Sequence, residues 1–549
     1  MASRFLRSSR VRLVLAAAAF PCIASESFRL RVEAPRPARY YLRDSAGKLW
    51  APEGAITYSR RDEEHFLARG GFEIRLPPGN YTLQVERGPE HIPVGESIVA
   101  REGEEKSLRL SPRRWIGMNR LGWYSGDLHN HRRLEHMPLL LLAEDLNIAP
   151  TLTDWIWEDR QNSSPPATGA AIQRVDATHV YSVVDKEVER LKSGPGAVDL
   201  VGLRAPIPFD GYLLYPPNDR FAAAAHAQGA WVDAEKIVWR DVAALVALGH
   251  IDFAGIVHNH FNRQGVETET DAWGMVPKRQ PEYRTPAGMP LWAMEIYYRF
   301  LNCGFRLPVS AGSASGVKAS PLGYNRVYVK TGGDFSYENW FRALKAGRSF
   351  ATNGPMLFLS VNGKEPGETL RFDSGRLRRV RVKAEASSVT PLDRLEILSK
   401  GKVIRTASGS GKLRLDFEVE AGETGWIAAR AFEKPDRTVR FAHTSPVYIE
   451  VAGDRGIVVE DASFFLEWID REAAFYRDLP GFRDPAHRAA MLAFFDSARK
   501  VYAKLAGGLR QFPSEGGATP WRSEAHRLPT AGPATKLGGS PSPNSHPVR

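Results

Sequence analysis

The chain has 549 residues, which exceeds the length of one compact core and predicts several folding units. Its 43% hydrophobic content, with 13 Trp, 17 Tyr and 26 Phe, excludes an intrinsically disordered protein. The formal net charge of +11 permits contact with acidic surfaces, but Lys and Arg are spread along the chain without a basic helix. We therefore expect no specific nucleic-acid partner.

The first 25 residues have the pattern of a secretory signal peptide. Four arginines precede an apolar stretch from about Val14 to Ala24, where small residues suit cleavage. No segment approaches the roughly 20 apolar residues that a membrane span needs. We expect a secreted or periplasmic protein that starts near Ser25 and has no membrane span. Because Cys22 would leave with the signal peptide, Cys303 would remain alone and no internal disulfide would form.

Residues 26–120 alternate polar and apolar positions in short runs such as "FRLRVEA" and "YTLQVERG". Gly, Pro and Asn separate the runs, as they do at the turns between strands. This pattern predicts an N-terminal β-sandwich-like domain.

Residues 121–355 have a different pattern, in which strand-like and helix-like segments alternate. "GAWVDA" and "DFAGIV" are typical of buried strands, whereas "DRFAAAAHAQG" is typical of a helix. Such alternation predicts an α/β unit built on a parallel sheet or barrel. Eight of the 14 histidines lie between residues 129 and 260, so we expect the functional site in this unit.

Short strand-like runs return in residues 356–455 and predict a C-terminal β domain. Two stretches with apolar residues at spacings of three and four follow, and they predict a helical segment over residues 456–510. The remaining residues, 511–549, are rich in Gly, Pro and Ser and lack periodicity, which predicts a disordered tail.

Histidines and carboxylates follow several strand-like runs of the α/β unit, where the loops of such folds place catalytic groups. His129 and His131 are two residues apart in "YSGDLHNHRRLEH", so an extended backbone aims both rings to the same side. Imidazole nitrogen and carboxylate oxygen are typical ligands of Zn²⁺, Mn²⁺ or Fe²⁺. The other candidates are Asp127, His136, Asp154, Glu235, His258, His260 and Glu295, the last in "LWAMEIYY", which we interpret as a strand.

Several segments in this order resemble one protein family. They are "GDLHNHR", "LAEDLNIAPTLTDW", "MEIYY", "LNCGFRLPVSAGSASG", "GYNRVYV" and "GRSFATNGP". Together they resemble the PHP superfamily (polymerase and histidinol phosphatase), and within it the CehA/McbA-like metallohydrolase branch. The resemblance covers roughly residues 121–360. It implies a distorted (β/α)₇ barrel with metal ions at the strand ends that hydrolyses phosphoesters or, in this branch, esters, amides or carbamates.

The sequence departs from the family pattern at three places. Trp155 stands where the family has the histidine of a TDH motif, and Glu235 and Lys236 stand near an expected His-Pro. Ala314 in "GSASG" replaces an aspartate. We therefore expect one or two ions rather than three, with His129, His131 and Glu295 as ligands and with His136, His258, His260 and Asp127 as further candidates.

Other residues have a structural interpretation beside a functional one. His179, His226 and His250 are typical of hydrogen-bonded structural histidines, and Asn325 and Arg326 are expected to fix a loop. Arg306 and Lys318 are either solvated cations or contacts for a substrate anion. Trp123, Trp155 and Trp157 are either core residues or the wall of a cleft for an apolar or sugar ring.

Two functions remain open from the sequence. The first is a secreted metal-dependent hydrolase of a small molecule, in which Asp154 or Glu235 is the general base and Lys236 stabilises the developing oxyanion. The second is a non-catalytic pseudo-enzyme that binds a ligand such as a carbohydrate in the barrel cleft.

Overall fold

A computed structural model describes residues 27–163, 169–268, 280–374 and 376–507. The predicted signal peptide and the predicted tail from residue 511 lie outside these ranges. The fold is multidomain and rich in strands, with 39% of residues in strands and 21% in helices. Within the described ranges, no helix combines the length and the apolar character that crossing a membrane requires.

The N-terminal region is a β-sandwich-like pair of sheets around a shared apolar core. Its strands are β1 (Phe28–Glu33), β2 (Ala38–Asp44), β3 (Ile56–Arg60), β4 (Glu63–Ala68), β5 (Gly71–Leu76), β6 (Gly79–Glu86), β7 (His91–Ile92), β8 (Val94–Ala100), β9 (Glu105–Arg109) and β10 (Arg113–Arg114). One sheet has the order β3-β4-β2-β6-β8 and the other has the order β5-β1-β9. Alternate residues such as Leu30, Leu42, Phe66 and Leu83 fill the core, as the period of two in the sequence predicts.

The central region alternates strands and helices. Its elements are β11 (Trp123–Gly126), α1 (Met137–Glu144), β12 (Ile148–Ala149), β13 (Leu152–Trp157), β14 (Arg160–Ser163), β15 (Ile172–Arg174), β16 (Val180–Ser182), β17 (Asp185–Arg190), β18 (Gly196–Val201), α2 (Asp219–Ala227), β19 (Trp231–Asp233), α3 (Val242–Ala247), β20 (Ala254–Val257), β21 (Phe261–Asn262), β22 (Gly265–Val266), α4 (Met289–Asn302), β23 (Val309–Ala311), β24 (Arg326–Lys330), α5 (Tyr337–Lys345) and β25 (Ser349–Thr352). Short 3₁₀ turns occupy Met118–Leu121, Leu134–His136 and Pro281–Arg284.

The sheets of the central region are mixed, with parallel and antiparallel pairs, where the sequence predicted a parallel sheet or barrel. Strands β11, β12 and β16 are parallel neighbours, as are β13 with β17 and β20 with β23. In contrast, β17, β18 and β19 pair antiparallel. A tight turn around "SGPG" joins β17 to β18, and such a short connection only permits antiparallel pairing.

The C-terminal β region shares a sheet with the central region. Its strands are β26 (Met356–Val361), β27 (Thr369–Phe372), β28 (Arg378–Ser387), β29 (Leu392–Ser399), β30 (Lys402–Ser408), β31 (Leu413–Ala421), β32 (Gly425–Glu433), β33 (Phe441–Thr444) and β34 (Val447–Val451). The pairing of β25 with β33 makes one sheet in the order β15-β16-β12-β11-β24-β25-β33-β32-β29-β30. The predicted boundary at residue 355 therefore falls within a continuous sheet.

Two long helices close the described chain, as their apolar spacing predicts. They are α6 (Val459–Asp478) and α7 (Pro485–Leu505). Phe465 of α6 and Tyr502 of α7 are buried in the core of the central region. The Tyr502 hydroxyl donates to the carbonyl of Ala243 in α3 at 2.8 Å. The helical segment is thus packed on the α/β unit rather than held apart from it.

The buried His443 of β33 predicts an acid-sensitive fold. Its Nε2 lies 2.8 Å from the Tyr298 hydroxyl and its Nδ1 lies 2.7 Å from the Thr444 carbonyl, so the neutral ring has a partner on each side. Burial lowers the pKa of His443 to about 3, whereas an unfolded histidine has a pKa near 6.5. Between these values only the unfolded chain binds the proton, so stability is complete above pH 6.5 and falls as the pH decreases.

Between pH 3 and pH 6.5, His443 is expected to lower the free energy of unfolding by about 1.4 kcal/mol for each pH unit of acidification. Urea unfolding at several pH values between 7.5 and 5 measures it. His443→Gln should be less stable at pH 7.5 but should lose stability less steeply on acidification. Identical slopes in the two proteins would contradict this account.

Candidate metal centre

His129 and His131 follow β11 at its carboxyl end and present their rings to the same space. The Leu128 amide donates to the Ala311 carbonyl at 3.0 Å, and the His131 amide donates to the Ser315 carbonyl at 2.8 Å. These bonds hold the segment extended, so both rings lie on one side as their spacing predicts. Their Nε2 atoms are 3.0 Å apart.

A row of side chains on the neighbouring sheet faces these histidines. The register of β13, β17, β18 and β19 places Trp155, Glu187, Asp199 and Asp233 opposite one another in that order. Directly paired residues share a face of a sheet, so three acidic side chains stand side by side. Glu187, Asp199 and Asp233 are all buried. Because buried like charges repel, this row favours a positive charge close to it.

The carboxylates reach both nitrogens of His129. Glu187 places its oxygens 3.5 Å from His129 Nε2 and 3.0 Å from His131 Nε2. On the other side of the ring, Asp199 Oδ2 and Glu235 Oε1 each lie 3.3 Å from His129 Nδ1. His129 is therefore the centre of the cluster, with ligand-type atoms on its Nε2 side and acidic partners on its Nδ1 side.

His129, His131 and Glu187 form a group that can hold a metal ion, since their ligand atoms all lie within 4.8 Å of one another. Two nitrogens bound to one ion at about 2.1 Å lie roughly 3.0–3.4 Å apart, a range that includes the observed separation of the Nε2 atoms. A ligating histidine usually donates its other N–H to a carboxylate. Asp199 and Glu235 provide such carboxylates at Nδ1, so the residues present fit a divalent ion.

The histidines and carboxylates of the cluster shift one another's pKa values. Burial lowers the pKa of His129, but Asp199 and Glu187 outweigh burial and raise it above its ordinary value. Burial raises the pKa of Glu187, yet the two histidines hold that carboxyl below its usual range. Burial and the neighbouring acids raise the pKa of Asp199. Neither Asp199 oxygen accepts a hydrogen bond from the described residues, and Oδ2 faces His129 Nδ1 at 3.3 Å.

Glu235 follows β19 in a strained backbone conformation with φ of +55°. A Cβ at Gly255 would lie 2.1 Å from the Glu235 carbonyl oxygen, so the neighbouring strand makes room for this turn. The carboxylate accepts hydrogen bonds from Lys236 Nζ, from Trp239 Nε1 at 2.8 Å and from Asn259 Nδ2 at 2.9 Å. Burial raises the pKa of Glu235, but Lys236 and His129 outweigh burial and lower it to about 2.

These contacts correct the roles predicted for Glu235 and Lys236. Three donors occupy the Glu235 carboxylate, so it is not free to act as a general base. Lys236 is buried with its ammonium on Glu235 and 4.8 Å from the Trp239 ring, so it is not directed at a developing oxyanion. Both residues belong to the site, but they support His129 instead of performing the predicted steps.

Asp127 is a support for the loops around the histidines. Its carboxylate accepts the amides of His129 at 3.2 Å, Ser313 at 2.9 Å and Gly323 at 2.7 Å. With these three amides bound, Asp127 fixes backbone and is not placed as a ligand, contrary to its predicted role. The neighbouring Gly312 has no room for a side chain, because a Cβ there would lie 2.4 Å from His129 Cβ.

The N-terminal sandwich contacts the same loop. Tyr58 of β3 accepts a hydrogen bond from the Gly316 amide at 3.0 Å and donates to the Lys318 carbonyl at 2.5 Å. Arg60 Nε donates to the Gly316 carbonyl at 3.0 Å. Gly316 itself packs against the His131 backbone with φ of +112°. The sandwich is therefore bonded to the segment that holds His131.

The second histidine pair lies at the end of β20 but outside the metal group. His258 and His260 are buried, and the His260 amide donates to His258 Nδ1 at 3.3 Å. Burial, helped by Lys236, lowers the pKa of His258 to about 3. Asn325 donates to the His258 carbonyl at 3.0 Å. The position after a strand is as predicted, but the described contacts of this pair fix loops.

Glu295 lies in helix α4, so the prediction of a strand there is wrong. Its carboxylate is bound to Tyr283 and to Arg299, the latter at 2.7 Å, and it is not part of the metal group. His136 ends a 3₁₀ turn before α1 and is half-buried, also outside the group. Neither residue is placed as the ligand that the sequence suggested.

Asp154 lies on the opposite face of β13 from Trp155, because side chains alternate along a strand. Its carboxylate is bound to Lys186 Nζ at 2.5 Å, Ser163 Oγ at 2.8 Å and Gln161 Nε2 at 3.0 Å. The register pairs Asp154 with Lys186 and Trp155 with Glu187, so the two faces carry different clusters. The predicted general base is thus separated from the histidines by the sheet itself.

Asp154→Asn is therefore expected to destabilise the fold without removing bound metal. It would leave the Lys186 ammonium buried without its carboxylate, which costs about 3–5 kcal/mol. Urea unfolding together with elemental analysis of the folded protein measures both effects. The double variant Asp154→Asn/Lys186→Met is the control and should recover most of the stability. Lost activity at unchanged stability and metal content would instead support the general-base role.

The remaining candidates have mainly structural contacts. His179 and His226 bind Asp176 and Asp252, and Trp123 is buried against Phe350. Arg326 bonds to three carbonyls, as a loop-fixing residue does.

Arg306 and Lys318 form ion pairs with Glu450 and Glu267. Trp155 differs from these residues. Its ring centroid lies 5.0 Å from that of His131, and Trp157 packs edge-on against it.

Glu187 and Asp199 are the site residues that sequence reasoning missed. They lie in "DKEVER" and "GAVDLV", the two strands of the hairpin β17–β18. The high charge of "DKEVER" is typical of a solvated strand, but almost every residue of β17 is buried. The turn "SGPG" between two β-type segments is the feature of the sequence that could have found them. Such a turn indicates a hairpin, and a hairpin aligns the acidic residues of its two strands.

Comparison of the chain with protein-family models, with curated proteins and with solved structures finds no match. Function is therefore inferred from the residues of the site and their geometry.

Proposed function

We propose that this protein is a metal-dependent hydrolase of the PHP type, similar to the CehA/McbA-like branch. The observation that carries the proposal is the buried group of His129, His131 and Glu187 at the end of β11, with Asp199 and Glu235 behind it. Parallel strand pairs beside this group are compatible with the distorted (β/α)₇ barrel that the resemblance implies. The proposal includes export, on the pattern of the first 25 residues.

His129, His131 and Glu187 would hold the ion, which we expect to be Zn²⁺, Mn²⁺ or Fe²⁺. A divalent ion in such a site lowers the pKa of bound water and polarises the bond to be cleaved. Asp199 and Glu235 favour a proton on Nδ1 of His129 and so leave the Nε2 lone pair for the ion. Because Asp199 lies on the Nδ1 side of the ring, away from the ligand group, it would act through His129 and would not take a proton from bound water itself.

Trp155 and Trp157 form an aromatic wall beside His131. Their ring centroids are 4.9 Å apart with the planes nearly perpendicular, and Trp157 is 37% exposed. The buried Nε1 of Trp155 donates to no described residue. An exposed aromatic ring beside the histidines suits a substrate that offers a flat or ring-shaped face. We infer that the substrate is a small molecule, and a carbohydrate-like ring is compatible with this wall.

One observation favours the alternative, a pseudo-enzyme that binds a ligand without cleaving it. Both predicted general bases are engaged, Asp154 with Lys186 and Glu235 with Lys236. A cleft with an aromatic wall and no free base would bind a ligand without turnover. The hydrolase and the pseudo-enzyme differ in turnover by the metal-bound protein, so experiment can separate them.

The test uses the full chain, purified without chelator and offered Zn²⁺ or Mn²⁺. Its hydrolysis of an aryl ester, an anilide, an aryl carbamate and a phosphodiester is followed together with its metal content. The proposal expects bound metal and turnover of at least one class, lost with chelator and restored with metal. Bound metal without turnover of any class supports the pseudo-enzyme. Less than about a tenth of an equivalent of metal would remove the hydrolase proposal.

A further inference from the structure

The two sides of the His129 ring are occupied differently. Nε2 faces His131 and Glu187, whereas Nδ1 faces Asp199 and Glu235. An imidazole with acidic groups at both nitrogens can serve one ion on each side. It can equally serve one ion at Nε2 and a carboxylate at Nδ1. The contacts on the Nδ1 side decide between these arrangements.

The Glu235 carboxylate on the Nδ1 side is already saturated by protein groups. Glu235 accepts from Lys236, Trp239 and Asn259, and its Oε1 also lies 3.3 Å from His129 Nδ1. A carboxylate offers about four lone-pair sites, so these four neighbours use them all. Glu235 therefore has no free oxygen lone pair for a second ion.

Lys236 brings a permanent charge to this side. It is 1% exposed, its ammonium lies on both Glu235 oxygens, and the Trp239 ring packs 4.8 Å from Nζ. The Trp239 indole bonds to the same carboxylate, so one aromatic residue fixes both members of the pair. The ammonium thus supplies a positive charge on the carboxylate that faces His129 Nδ1.

We propose that the centre takes a single divalent ion on the Nε2 side of His129, and that the Lys236 ammonium takes the place of a second ion. The inference rests on the proposed function, because it presumes that the site binds metal. A second dication at His129 Nδ1 would face Glu235, which carries the fixed ammonium, and would be repelled by that charge. Removing the ammonium removes this repulsion and also frees oxygens of Glu235.

The decisive experiment counts metal ions per chain by elemental analysis, with Zn²⁺ as the probe at rising concentration. The wild-type protein should reach a plateau at one ion. Lys236→Met keeps the side-chain length without the charge and should approach two ions. Lys236→Arg is the matched control and should stay at one. Circular dichroism checks that each variant is folded.

A measurement on the wild type alone keeps the proposal testable where Lys236→Met does not fold. Loaded with two equivalents of Mn²⁺, the protein should give the electron paramagnetic resonance spectrum of isolated ions, with one equivalent bound. A spin-coupled pair, or two ions per wild-type chain, overturns the single-ion centre and leaves the hydrolase proposal standing. One ion in folded Lys236→Met overturns the role of Lys236. No ion in the wild type overturns the hydrolase proposal and this inference together.

Discussion

Replacement of His129 or His131 by alanine is expected to abolish metal binding and with it any metal-dependent hydrolysis. The two Nε2 atoms are 3.0 Å apart, and Glu187 contacts both, so each histidine supplies one of three ligand positions. Changes to residues behind the ligands of a metal site typically cost 10–100-fold in affinity, so loss of a ligand itself should exceed about 100-fold. Elemental analysis and titration with Zn²⁺ or Mn²⁺ measure this loss.

The matched control is His226→Ala. His226 is also bonded to a carboxylate, that of Asp252 at 2.9 Å, but it lies in α2 and outside the metal group. It should keep the full metal content. Circular dichroism should show the native spectrum for all three variants. Full metal occupancy in His129→Ala or His131→Ala would refute the centre described above.

Replacement of the carboxylate ligand is expected to have the second large effect on metal binding. It also distinguishes Glu187 from Glu295 as that ligand. The amino-acid pattern suggested Glu295, whereas the geometry places Glu187 within 3.5 Å of both histidine Nε2 atoms. Glu187→Gln removes the charge with little change in shape and is expected to lower metal affinity by more than about 100-fold. Glu295→Gln is expected to retain the metal, because its carboxylate is bound to Arg299.

Titration of the two variants side by side measures the difference. Glu295→Gln should show a modest loss of stability, since it breaks a half-buried ion pair within α4. The structural assignment fails if Glu295→Gln loses its metal while Glu187→Gln keeps it. Wild-type affinity in both variants would show that neither carboxylate is a ligand.

Much of the fold was accessible from local patterns. Alternation with a period of two predicted the N-terminal sandwich, and apolar spacing of three and four predicted α6 and α7. The spacing of His129 and His131 predicted that their rings face the same way, because it depends only on an extended backbone. These features share one property: each is decided by residues close together in the chain.

The missed features depend on contacts between distant residues. Glu187 and Asp199 become partners of His129 only when β17, β18 and β19 pair in one register, more than 50 residues from the histidine. The run around Glu295 is apolar on all sides, and such a run does not distinguish a buried helix from a strand. The engagement of Glu235 by Asn259 likewise requires two separate strands to meet.

The hydrogen bonds from Tyr58 and Arg60 to Gly316 have a consequence for how this protein can vary. Gly316 packs on the backbone of His131, so the N-terminal sandwich supports the segment that holds one of the proposed ligands. A descendant that lost the sandwich would keep every proposed ligand in its sequence. It would still lose the hydrogen bonds that support the His131 segment. Duplication or exchange of the α/β unit by itself is therefore disfavoured, and the two regions are expected to be inherited together.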